Sequence, residues 1–328
     1  MPKLSITVAC AAYDRTWPLF SGRVPIEGCD ANMFDVYPSE AFVRAYRSQD
    51  FDVTELSASS HILTTARGDA PYVAIPAFLS RVFRHSSFYI RTDRGIASAK
   101  DLRGKTIGVT EYQMTAGLWA RGLLSDEYGV RAQDVRWRSG GMDKPGLTER
   151  TAITLPADID LQPIADGKTL SGMLEAGELD AVIGARPPSC FTRGASSIAR
   201  LWPDFRTAEE DYFRRTGLFP IMHLVGIRRS LVDAHPWLAA SVLKAFTRAK
   251  TIALDEIDDV GINRACLPWL TSEVAAAKAV MGADFWPYGF ESNRKATECM
   301  LRWSLEQGLS SRLVTPDELF APGSMQDL

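Results

Sequence analysis

The stretch DLRGKTIGVTEYQMTAGLWARGLLSDEYGV, residues 101–130, reads as turn, strand, junction and helix in direct succession. Residues 101–105 are turn-like around Gly104, and Thr106 opens a short apolar strand. Between Thr110 and Thr115 the period of two gives way to the period of a helix. Residues 170–188, LSGMLEAGELDAVIGARPP, repeat the theme, with a helix to about Gly177 and a strand from Asp180 to Ala185. Working outward, KLSITVAC, FDVTEL (51–56), YVAIPAFLS, SSFYIR and IMHLVGIRR (221–229) are extended runs. VYPSEAFVRAYRSQ and SASSHILTTARG are helical, the second with serines suited to a cap and Gly68 as its stop. HPWLAASVLKAFTRAKTIALDEI, 235–257, is the clearest helix. Pro236 fits its first position, and Leu238, Val242, Ala245, Phe246, Ala249 and Ile252 form its apolar stripe. Such alternation predicts an α/β fold with a mostly parallel sheet.

The chain has 328 residues, 46% of them hydrophobic, enough for two domains with cores of their own. Its net charge is −3 and no long basic run occurs, which speaks against a nucleic-acid partner. The opening residues, MPKLSITVACAAYDR, alternate as a strand does. Neither a signal peptide nor a membrane span is expected, so the predicted setting is cytoplasmic, with no membrane partner. Cys10, Cys29, Cys190, Cys266 and Cys299 are scattered without CxxC spacing and are expected as buried, reduced thiols. HxH and HExxH spacings, GxSxG, a Walker loop and GxGxxG do not occur.

Several longer stretches together carry a family resemblance. They are FDVTELSASS (51–60), FRHSSFYIR (83–91), residues 101–130, WRSGG (137–141), residues 170–188, RLWPDFRTAEEDYFRRTGLFPIMH (200–223) and PWLAASVLKAFTRAK (236–250). With them the chain resembles the 4,5-dihydroxyphthalate decarboxylase family over about residues 3 to 260. The resemblance implies a two-lobed type II periplasmic-binding-protein-like fold with a ligand cleft between the lobes. Lobe 1 is expected from residues 1–91 plus 226–328, and lobe 2 from 92–225. SSFYIR and IMHLVGIRR would be the crossing segments, which brings His85 and His223 near the cleft floor.

An aromatic dicarboxylate calls for planar, two-pronged cations. Arg15, Arg81, Arg84 and Arg186, in loops after strands, are the candidates. Thr110, Tyr112, Gln113 and Thr115 surround a helix start whose free N–H groups favour an anion. Ser57, Ser59 and Ser60 offer a similar start earlier in the chain. Proton transfer near neutral pH suits histidine, and of the four (His61, His85, His223, His235) His85 and His223 are the best placed. Asp14 and Glu111 could orient a histidine or accept a phenol proton, and Tyr13 and Tyr112 could touch the ring.

The activity implied is non-oxidative decarboxylation of 4,5-dihydroxyphthalate to protocatechuate and carbon dioxide, in phthalate degradation. No organic cofactor is needed, because a hydroxyl para to the departing carboxylate feeds electrons into the ring while an acid protonates carbon. A divalent metal stays open. The alternative is a solute-binding protein that captures an aromatic acid or similar small anion without catalysis. The family further implies a homo-oligomer, with Trp269, Trp286 and Trp303 as core or interface residues.

Overall fold

The computed structural model describes residues 2–326. The strands are β1 (Leu4–Cys10), β2 (Cys29–Asp35), β3 (Val53–Ser57), β4 (Tyr72–Arg81), β5 (Phe88–Arg91) and β6 (Thr106–Val109). They continue with β7 (Arg136–Ser139), β8 (Leu161–Pro163), β9 (Ala181–Ile183), β10 (Ile198–Arg200) and β11 (Ile221–Arg228). Two sheets result, in the orders β2-β1-β3-β11-β4 and β10-β5-β9-β6-β7-β8. Both are mostly parallel in strand direction, with one opposing strand each. β11 runs antiparallel between β3 and β4, and β5 runs antiparallel between β10 and β9.

The chain divides into two compact units. The first comprises the residues up to Arg81, Ile221–Thr297 and those from Val314 on; the second comprises Val82–Pro220 and Glu298–Leu313. These bounds differ from the expected segments in three places. Residues 221–225, expected in lobe 2, lie in the first unit because β11 hydrogen-bonds between β3 and β4. Residues 82–91 lie in the second unit because β5 hydrogen-bonds to β9 and β10. Residues 298–313 also lie there, because Trp303, fully buried, packs edge-on against Trp119 with ring centroids 4.9 Å apart. Gly122 permits that approach: a methyl group in its place would collide with the Trp303 indole.

Local chemistry sets most boundaries. The helix Ala58–Arg67 starts after Ser57 and ends where Gly68 takes a left-handed φ of 79°. The helix Leu170–Ala176 is capped by the Thr169 hydroxyl, which accepts from the Gly172 N–H. The long helix Leu238–Glu256 begins two residues after Pro236, not at it, and buries Leu238, Val242, Ala245, Phe246 and Ala249. Three of the cysteines are buried as expected; Cys266 is exposed and Cys299 half-buried. Among the described residues no helix is long and apolar enough to cross a membrane.

Candidate functional site

In the first unit the carboxyl ends of β1, β3 and β4 and the start of β11 share one edge, because β11 alone runs the other way. Open α/β sheets bind ligands at such edges. His223 sits there, third in β11, where the register against β4 shifts on both sides of it. Irregularities of this kind re-aim a side chain. Its Nδ1 lies 2.7 Å from Oε1 of Glu55, and its ring meets Phe42 edge-on at 4.8 Å. Glu55 projects from the middle of β3 and is fully buried. The Tyr13 phenol donates to Glu55 Oε1 at 2.8 Å, and the Ala11 N–H donates to Oε2 at 3.3 Å. Burial and the Glu55 charge push the Tyr13 phenol well up, so it stays protonated and donates.

Arg15 follows Tyr13 in the loop after β1. Its guanidinium is sandwiched between the Tyr13 ring, 4.1 Å away, and the Trp286 ring, 4.3 Å away. Nε donates to the Leu79 carbonyl at 2.7 Å, and Nη1 pairs with Asp14 at 2.9 Å. Asp14 is exposed and serves as this partner rather than orienting a histidine. Arg81 is buried and donates to the Pro287 carbonyl at 2.9 Å and to Asn293, which ties β4 to the later chain. Nearby, burial pushes the Tyr288 phenol up against the pull of Arg15 and Arg81, and its oxygen has no hydrogen-bond partner among the described residues. Ser57, Ser59 and Ser60 are buried at the head of the helix Ala58–Arg67. Tyr13 and Asp14 also border a cavity of about 460 Å³, with Trp17, Arg23, Glu256 and Arg264.

The second unit gathers another set. Glu111, fully covered, pairs with Arg150 at 2.8 Å and accepts from the Gln113 side-chain amide at 2.8 Å. The backbone N–H groups of Tyr112 and Gln113, ahead of the helix Thr115–Tyr128, point at the carboxylate of Glu149, at 2.5 and 3.3 Å. The anion-binding junction read from the sequence is thus filled by the chain's own carboxylate, which burial holds above the usual carboxyl range. Tyr112 does not face outward: its ring is buried under Arg121, and its hydroxyl donates to the Gln307 carbonyl at 3.1 Å. Thr110 places its hydroxyl 3.8 Å from the Met114 sulfur, and Thr115 is buried in the first turn. Arg186 is exposed beyond β9.

His85 and Arg84 belong to the second unit, His223 and Arg81 to the first. The His85 ring is buried, edge-on to Trp202 at 4.9 Å and Tyr212 at 5.3 Å. Burial, helped by Arg215, lowers it to about 4, so the ring is neutral near pH 7 and ill-suited to deliver a proton there. Arg84 is buried too, with Nη1 3.5 Å from the Ser87 hydroxyl. Sequence reasoning missed Glu55, Trp286, Tyr288 and Glu149. Only Glu55 carried a signal: an acid in the middle of the strand-like FDVTEL, where a packing strand has no use for one.

The periplasmic aliphatic sulphonate binding protein of Escherichia coli superposes on this chain with a TM-score of 0.54 at 12% identity, over 98% of each chain. A putative sulfonate transporter's periplasmic sulfonate-binding protein from Methylobacillus flagellatus KT gives 0.55 at 11%, over 99% of this chain and 93% of the other. At such identities the likeness is one of fold, and the fold is the type II periplasmic-binding-protein-like one. No protein-family model matches the chain. A curated 4,5-dihydroxyphthalate decarboxylase from Comamonas testosteroni is 44% identical over 326 residues, 99% of both chains. Another of that name, from Pseudomonas putida, is 48% identical over 214 residues, 65% of this chain and 83% of its own. The chain belongs to the 4,5-dihydroxyphthalate decarboxylase family.

Proposed function

We propose that this protein removes carbon dioxide from 4,5-dihydroxyphthalate and releases protocatechuate. The observation that carries this reading is the 44% identity with a protein of that name across 99% of both chains. In the substrate each carboxylate stands para to a hydroxyl. As one hydroxyl passes its proton to solvent, electron density reaches the carbon that bears the para carboxylate. His223, protonated on both ring nitrogens, protonates that carbon from Nε2, the bond to the carboxylate breaks, and the ring regains aromaticity as carbon dioxide leaves. The phenolate then recovers its proton from solvent. Arg15 holds a carboxylate. Its Asp14 partner is half-exposed, and such pairs are worth only about 0–1 kcal/mol, so a substrate anion can displace it.

This scheme uses no organic cofactor. A decisive assay incubates pure protein with 4,5-dihydroxyphthalate and follows carbon dioxide and protocatechuate. Tight binding without turnover would return the protein to solute capture, and activity lost on chelation and restored by a divalent ion would add a metal to the scheme. Replacing Arg15 with glutamine is expected to raise KM about 10- to 100-fold with a smaller change in kcat, the loss of one charge-assisted bidentate grip. An unaltered KM would remove Arg15 from substrate binding. A cytoplasmic setting is part of the same proposal, supported by five free thiols. So is a homo-oligomer, supported by Val260, Ile262, Leu267 and Trp269, all exposed within ten residues; sedimentation velocity tests it.

A further inference from the structure

We propose that Glu55 is the positioning residue that fixes the neutral His223 ring as its Nδ1–H tautomer and balances the imidazolium formed when Nε2 takes up the proton it then passes to carbon, an inference that rests on the decarboxylase reading. Burying a carboxylate is costly unless donors surround it, and buried acids usually face an arginine or lysine. Among the described residues the one ion-pairing partner of Glu55 is His223. The two side chains lie diagonally across neighbouring strands, since Val225 stands opposite Glu55 and His223 opposite Ser57. That places them on one face of the sheet, within reach of long side chains.

The hydrogen bonds determine the proton's place. Glu55 Oε1 accepts from the Tyr13 phenol, and a carboxylate oxygen offers the imidazole only an acceptor. Nδ1 therefore carries the hydrogen. Nε2 has no protein hydrogen-bond partner among the described residues, and the side chain keeps 21% of its surface open. Nε2 is the nitrogen left to meet solvent or substrate. Phe42, packed edge-on, limits rotation of the ring. Glu55 itself touches no substrate in this arrangement; it acts through His223, as the carboxylate of a nucleophile–histidine–carboxylate triad acts through its histidine.

Two measurements test this. Long-range proton–nitrogen correlation spectra of the native protein labelled with ¹⁵N-histidine, at pH 8 and without substrate, are expected to show His223 protonated at Nδ1; a His223→Gln sample assigns the signal. Protonation at Nε2 instead would overturn the proposal. In Glu55→Gln the Ala11 N–H keeps the amide oxygen, so the amide nitrogen turns to the ring and donates to Nδ1. The neutral ring then shifts to Nε2–H and no carboxylate balances the imidazolium, the acid that protonates carbon, so kcat is expected to fall about 10²-fold while KM stays within about three-fold. An Nδ1–H ring with full kcat in that variant would also overturn the role. If Glu55→Gln does not fold, the native spectrum decides alone. Failure of the decarboxylase reading looks different: no turnover in the native protein, with the tautomer, read without substrate, still informative.

Discussion

His223→Gln is expected to lower kcat about 10³-fold while changing substrate affinity by no more than a few-fold. Positioned proton transfer is worth about 10²- to 10⁴-fold, and glutamine keeps hydrogen-bonding atoms but cannot deliver a proton to carbon. The effect should fall on kcat because the proton moves only as carbon is protonated, whereas the carboxylates are gripped beforehand. The geometry supports this split: the ring is anchored at Nδ1 by Glu55, 2.7 Å away, and backed by Phe42, so its other nitrogen is delivered in one orientation. Steady-state release of protocatechuate gives kcat, and calorimetric titration of the inactive variant gives affinity. Turnover within ten-fold of the native protein would remove His223 from proton transfer. His85, sequestered among Trp202 and Tyr212, is not expected to substitute for it.

Lowering the pH from 8 to 5 is expected to destabilise the fold through two buried histidines, by about 2 kcal/mol each. His61 is fully buried, and burial lowers it to about 4, against the Leu319 carbonyl that raises it. His85 is lowered to about 4 by burial and then by Arg215. An unfolded histidine titrates near 6.5, so the unfolded chain takes up protons that the folded chain refuses between about pH 6.5 and 4. The stabilising preference for neutral rings is thus complete above pH 6.5 and fades as the pH falls toward 4. Glu149 and Glu209, raised by burial, oppose the trend toward the lower end of that window. Because His61 belongs to the first unit and His85 to the second, each unit carries its own acid sensitivity. Urea unfolding at several pH values measures the slope, and His61→Gln should halve it whatever it does to the stability at pH 8. An undiminished slope in His61→Gln would refute the assignment.

Much of this was legible in the chain itself. The order of strands and helices, the stop at Gly68 and the burial pattern of the helix Leu238–Glu256 follow from period and cap chemistry, which act within a few residues. His223 was legible as a candidate because histidine is scarce here and residues 200–223, which end on it, helped carry the family resemblance. Its partner was not: Glu55 is 168 positions away, and only strand order makes them neighbours. The N–H groups ahead of the helix Thr115–Tyr128 were expected to meet a substrate anion, and nothing local showed that Glu149 would bring a carboxylate there from a later loop. Tyr112, expected at a ligand, is instead buried under Arg121 of the helix that follows it and hydrogen-bonded to Gln307, 195 positions away, a pairing no local pattern carries.

The sequence alone therefore determined the α/β alternation, the element ends and the family, because each is written in residues close together or in motifs carried whole. Tertiary structure alone decided which polar groups are sealed and which stay open: that His85 is walled in by aromatics, that Glu55, itself held by the Tyr13 phenol, binds one nitrogen of His223, and that Arg15 lies against two rings. Burial and pairing depend on which distant strands become neighbours, and the chemistry of an ionisable group is set by that neighbourhood rather than by the residues beside it in the chain.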